Sequence, residues 1–167
     1  MKKVLMLMAL ILLSLPSFGS SSFDTMGDDL FPWPWGTECP FPWSDISGLY
    51  KVQSKEGGQF SRHYLVFDVS DSSREDLKFL TIRQYDRNGV LYAGGRGYSQ
   101  KDQRVVRGVL SPENGDPDYA VIVRSYVKDT GAVCRGENLV TAATFCPLRG
   151  KKCMEDSNYV LEKMKTY

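Results

Sequence analysis

Histidine is almost missing from this chain: of 167 residues, only His63 is one. A Ser-His-Asp triad would have to run through it, and no Gly-x-Ser-x-Gly elbow accompanies it. A Cys/His zinc site would need nearly every ligand available. The Cys146-x6-Cys153 spacing matches neither a zinc ribbon nor a redox Cys-x-x-Cys. No Walker loop occurs, because Gly94-Gly95-Arg96-Gly97 lacks a following Lys-Ser/Thr and precedes no helix. Charge of one sign is missing too. The formal net charge is +1, so the chain has no electrostatic footprint for nucleic acid or an anionic membrane. No segment keeps a long helical period. Paired carboxylates exist at Glu75-Asp76, Asp116 with Asp118, and Glu155-Asp156. All fall in expected loops, whereas glycosidase chemistry needs two carboxylates on rigid elements across a cleft. The sets Asp71, Glu75, Asp76 and Asn114, Asp116, Asp118 lack EF-hand spacing and read as turn formers. The expectation is a protein without catalysis, cofactor or metal.

What is present begins with the first nineteen residues. Met1-Lys2-Lys3 is a short basic start, Val4 to Leu15 is apolar, and Pro16-Ser17-Phe18-Gly19 closes the run with small residues. This reads as a secretory signal peptide over 1–19, cleaved after Gly19. The run is short for a spanning helix, which needs about 20 residues. No cysteine near the cleavage point offers a lipid attachment site. The expected destination is the periplasm or the exterior of a bacterium, with no membrane association after signal removal. Cleavage would leave about 150 residues, enough for one domain with a real core.

Residues 20–47 form a Pro/aromatic-rich lead-in. Phe31-Pro32-Trp33-Pro34-Trp35 and Cys39-Pro40-Phe41-Pro42-Trp43 hold all three tryptophans. Alternating prolines fix φ and remove donors, so this segment is extended and is neither helix nor central strand. From 48 to 167 the pattern changes to short β-type runs at 49–53, 63–69, 77–86, 90–98, 103–110, 119–128, 139–146 and 159–164, the last of which also tolerates a short helix. Asp86-Arg87-Asn88-Gly89 is a hairpin signal, because Asn-Gly accepts positive φ. Leu65, Phe67 and Val69 share one face of their run. Glycines 94, 95 and 97 point to a bend or bulge at a barrel corner. An aromatic content of 12% also favours strands. Eight short antiparallel strands joined by tight turns predict an all-β, up-and-down barrel, since closure removes exposed edges. A two-layer sandwich is the alternative.

The barrel constrains the four cysteines, which in an exported chain read as two disulfides. In a meander, Cys39 precedes the first strand and Cys134 the seventh, so both lie at one end. Cys146 ends the seventh strand and Cys153 precedes the eighth, at the other end. The predicted pairs are Cys39–Cys134 and Cys146–Cys153, because a bridge cannot span opposite ends.

Asp45-Ile46-Ser47-Gly48-Leu49-Tyr50-Lys51-Val52 resembles the first strand of calycin barrels, the lipocalins, avidin-like proteins and small bacterial lipocalin-like domains. Those open with Gly-x-Trp; here Gly48-Leu49-Tyr50 holds the place, with Tyr50 where the family has Trp. The resemblance covers about eight residues. No C-terminal helix of lipocalin length follows, and no tryptophan stands in the later strands to floor an avidin-type pocket. The resemblance implies a binding protein, with Tyr50 as a candidate contact. Small exported barrels of this shape also include protease and lysozyme inhibitors.

Trp33, Trp35 and Trp43, with Phe31 and Phe41, are the leading binding candidates. Exposed, rigid aromatics make a partner surface; folded over a barrel end, they make a plug, which Glu38 and Cys39 in their midst favour. His63 has the parity of Leu65 and falls at the barrel mouth, as a polar group at a ligand entrance, a general base, or a solvated strand end. The reading is an exported, monomeric, non-enzymatic lipocalin-like protein that binds a small apolar ligand or a protein partner. The alternative is an inhibitor of an extracytoplasmic enzyme acting through its loops.

Overall fold

The chain is described by a computed structural model over residues 36–54, 57–100, 103–128, 131–148 and 158–164. The expected signal peptide, Phe31, Trp33, Trp35 and Cys153 lie outside the described residues. Everything described belongs to one unit, Pro34–Tyr167.

Nine strands form. β1 (Thr37–Glu38) is a two-residue fragment; β2 (Gly48–Gln53), β3 (Tyr64–Asp71), β4 (Leu77–Tyr85), β5 (Leu91–Gln100), β6 (Val105–Pro112), β7 (Tyr119–Val127), β8 (Leu139–Pro147) and β9 (Asn158–Lys163) form an antiparallel meander. β9 pairs with both β8 and β2, with Leu161 opposite Thr141 on one side and Val52 on the other. β7 pairs with β6 and β8, so the sheet closes into an eight-stranded up-and-down barrel. The sandwich alternative falls with that closure. The segment at 159–164, which tolerated a helix, is strand β9.

Alternation places the core. Tyr50 and Val52 of β2, Leu65 and Phe67 of β3, Leu80 and Ile82 of β4, Val106 and Leu110 of β6, and Val121 and Val123 of β7 all point inward and are buried. The members of each pair are two residues apart, or four in β6, multiples of the period that sends side chains to one face of a strand. Burying a side chain such as Phe67 contributes about 2–3 kcal/mol.

The glycine run of β5 does a different job from a bend. Gly95 faces the β6 backbone so closely that an added Cβ would sit 1.9 Å from the Val109 carbonyl oxygen. Gly108, opposite Gly97, is similarly tight against Arg96. The run lets two strands approach where the barrel curves. The bulge lies upstream: Gln84 pairs with Ala93 and Tyr85 with Leu91, which leaves Tyr92 as the extra residue.

The two ends of the barrel differ. One is closed by residues 39–47. Phe41 and Ile46 are buried in the core, Pro42 accepts hydrogen bonds from the amides of Asp45 and Ile46 at 2.9 Å, and Trp43 packs on Phe41 with ring centroids 4.7 Å apart. β1 then lies along the stretch of β7 that β6 leaves uncovered, with Thr37 opposite Val127. Cys39 donates its N–H to Ser125 and is disulfide-bonded to Cys134, with Cα atoms 5.6 Å apart. This is the pairing that the meander dictated. Cys146 is also disulfide-bonded; its expected partner, Cys153, is outside the described residues.

Candidate functional site at the open end of the barrel

At the other end meet the exits of β2, β4, β6 and β8 and the entries of β3, β5, β7 and β9. There a cavity of about 420 Å³ opens. Five aromatic rings line it: Phe60, Tyr92, Tyr119, Phe145 and Tyr159. They arrive by three routes. Tyr119 begins β7, Phe145 is two residues before the end of β8 and Tyr159 is the second residue of β9. All three have inward parity at the same end. Tyr92 is the bulged residue of β5, and a bulge re-aims a side chain. Phe60 comes from the β2–β3 connection, which turns back into the mouth. That connection holds Arg62 at φ 71°, a left-handed conformation that costs a non-glycine residue roughly 1 kcal/mol. The Arg62 amide donates to the Val52 carbonyl, and the Val52 amide donates to the His63 carbonyl. The strand pair is thereby held across the irregular residue.

Phe60 is the hub. Its ring stacks on Tyr119 at 5.4 Å and 24°, and meets Phe145 at 4.7 Å and 56°. Phe145 in turn stands edge-on to Tyr119 and Tyr159, at 64° and 68°. The rings therefore form walls meeting at corners and not one flat platform. The Tyr159 hydroxyl accepts the Phe60 amide at 3.4 Å.

Beneath the rings runs a polar relay. The Tyr119 hydroxyl donates to Gln84 Oε1 at 2.7 Å, and Gln84 Nε2 lies 2.9 Å from His63 Nδ1. Gln84 is fully buried. With its oxygen occupied by Tyr119, its amide nitrogen donates to His63, which must then be unprotonated at Nδ1. Burial lowers the His63 pKa below the usual histidine value, against an upward pull from Asp86. The Asp86 carboxylate is itself held low by the backbone N–H groups of Val90 and Asn88. Burial raises the Tyr119 pKa strongly, and that of Tyr92 rises through burial and the adjoining Asp116. Asp116 and Asp118 stand at the rim, on the β6–β7 turn that Gly115 makes at φ 82°. Asp116 accepts from the Asn114 side chain at 2.7 Å.

The sequence-predicted residues divide between the two ends. His63 is at the mouth, edge-on to Phe60 and Tyr92 at 5.4 and 5.3 Å. Its bonded partner is an amide and not a nucleophile. Tyr50 is at the closed end, where its hydroxyl donates to the Ile46 carbonyl at 2.9 Å and its ring meets Phe67. Trp43 is part of the plug, so neither it nor Tyr50 lines the cavity. Trp33 and Trp35 are not among the described residues. Sequence reasoning missed Phe60, Tyr92, Tyr119, Phe145 and Tyr159. A usable signal was present for three of them, since Tyr119, Phe145 and Tyr159 all stand at strand ends that a meander brings together.

Among the described residues no cluster of three or more His, Cys, Asp or Glu is arranged to hold a metal, and no helix is long and apolar enough to cross a membrane. Comparison with known proteins finds no match for this chain among family models, curated proteins or solved structures.

Proposed function

We propose that this chain is an exported, non-enzymatic binding protein of lipocalin-like type that holds a small ligand with an apolar surface in the mouth of its barrel. The observation that carries this reading is the aromatic cavity of about 420 Å³. Its volume falls among small-molecule sites, which run to roughly 300–1,000 Å³ and are mostly apolar with a few placed polar groups. Gln59, Tyr92 and the rim aspartates supply those groups. The Cys39–Cys134 disulfide suits an extracytoplasmic location. The inhibitor alternative calls for a protruding loop with exposed aromatics. The one aromatic among the exposed large hydrophobics of the described residues is Tyr98, which lies on β5 and not in a loop.

Two measurements test the proposal. Native mass spectrometry of the exported protein is expected to show a retained small molecule. Titration with the uncharged dye N-phenyl-1-naphthylamine is expected to give saturable one-to-one fluorescence enhancement, weakened by Phe145→Ala. Absence of both a retained molecule and saturable dye binding overturns the reading.

A further inference from the structure

Charge and ring geometry at the mouth narrow the ligand class. Among the described residues lining the cavity there are two carboxylates, Asp116 and Asp118, and no lysine or arginine. Arg62 and Arg87 lie in connections at the same end of the barrel but do not line the cavity. The walls are five ring systems, and an aromatic face is the negative pole of its quadrupole. Phe145 stands at 56–68° to Phe60, Tyr119 and Tyr159, while Phe60 stacks on Tyr119 at 24°. Two features thus favour positive charge in the ligand: carboxylates at the rim and aromatic rings in the lining. A free inorganic cation gains little here, because the walls are apolar and could not replace its hydration shell.

Resting on the binding-protein reading, we infer that the mouth takes an organic cation, an ammonium head carried on an apolar body. The head sits against the aromatic lining at the mouth, and Asp116 and Asp118 neutralise it from the rim. The chain between β8 and β9 carries Arg149, Lys151 and Lys152, so an anionic probe is the necessary counter-test.

The experiment uses three probes with one shared body, titrated into the full-length protein at low ionic strength. They are benzyltrimethylammonium, its uncharged carbon isostere neopentylbenzene, and phenylmethanesulfonate. Calorimetry gives affinity, and amide chemical-shift changes at Phe60, Tyr92 and Tyr119 give location. The expected result is binding of the cation about tenfold or more tighter than the isostere, with the anion weakest. Asp116→Asn with Asp118→Asn is expected to remove most of that preference and leave the isostere unchanged. Equal affinity for cation and isostere, or preference for the anion, overturns the cationic assignment while leaving the pocket reading intact. No probe binding at the mouth overturns both.

Discussion

The Tyr119 hydroxyl and the Gln84 side-chain oxygen are 2.7 Å apart inside the barrel, with His63 on the far side of the same amide. Gln84 is the polar residue in a column otherwise made of Leu80 and Ile82, so its two bonds are what make its burial tolerable. Replacing Gln84 by Leu strands the Tyr119 hydroxyl and one imidazole nitrogen. The expected loss is about 2–3 kcal/mol, and Tyr119→Phe alone is expected to cost about 1–2 kcal/mol. The double variant is expected to lose less than the sum, because removing both partners leaves fewer orphans. Urea unfolding of the three variants measures this; strict additivity would show that the bond is not formed.

His63 makes stability depend on pH with a definite sign. Its folded pKa lies below the ordinary value of about 6.5, with burial the larger cause. The unfolded chain therefore binds a proton first as the solution is acidified. The His63 contribution is fully present above about pH 6.5 and declines as pH falls from there through the lowered folded value. His63→Gln is expected to flatten that part of the profile in urea midpoints taken from about pH 8 to about pH 5. A profile unchanged by the substitution would refute the assignment.

The disulfide closes a long covalent loop. Cys39 and Cys134 are 95 residues apart in sequence. Loop-closure entropy predicts a loss of roughly 4–5 kcal/mol for the Cys39→Ala, Cys134→Ala double variant. Because Cys39 also fixes β1 beside β7, amide exchange at Thr37 and Glu38 is expected to accelerate more than exchange in β4.

Adjacent glycines provide an internal control. Gly95→Ala drives a Cβ into the Val109 carbonyl, whereas a Cβ at Gly94 meets nothing within 4 Å. The first is expected to destabilise by about 2 kcal/mol or more, and the second to stay within about 0.5 kcal/mol of the parent. Equal effects would mean that β5 and β6 are not as close as described.

Much of the barrel was legible because its information is local. Leu65 and Phe67 declare a buried face by alternation alone, and Asn88-Gly89 declares a turn that Gly89 makes at φ 80°. The Cys39–Cys134 bridge followed from strand polarity. The site was less legible because its causes are not local. Phe60 belongs to a connection, and nothing in Gly57-Gly58-Gln59-Phe60 says that the ring turns back into the barrel. Tyr92 has the parity of an outward residue until one extra position in the ladder rotates it. Conversely, the aromatic wealth around Trp43 drew attention to the closed end, where Phe41 and Ile46 fill volume.

The placement of the sulfur bridge between Cys39 and Cys134 has a consequence for engineering. The elements that fasten the first residues of the barrel are all at the pole away from the cavity. Hairpin tips at Asp86–Val90 and Glu113–Asp118 can therefore be re-lettered or lengthened without loosening that clasp. The molecule offers a fixed base beneath an exchangeable rim, suited to selecting variants with new specificities from libraries confined to a few turns.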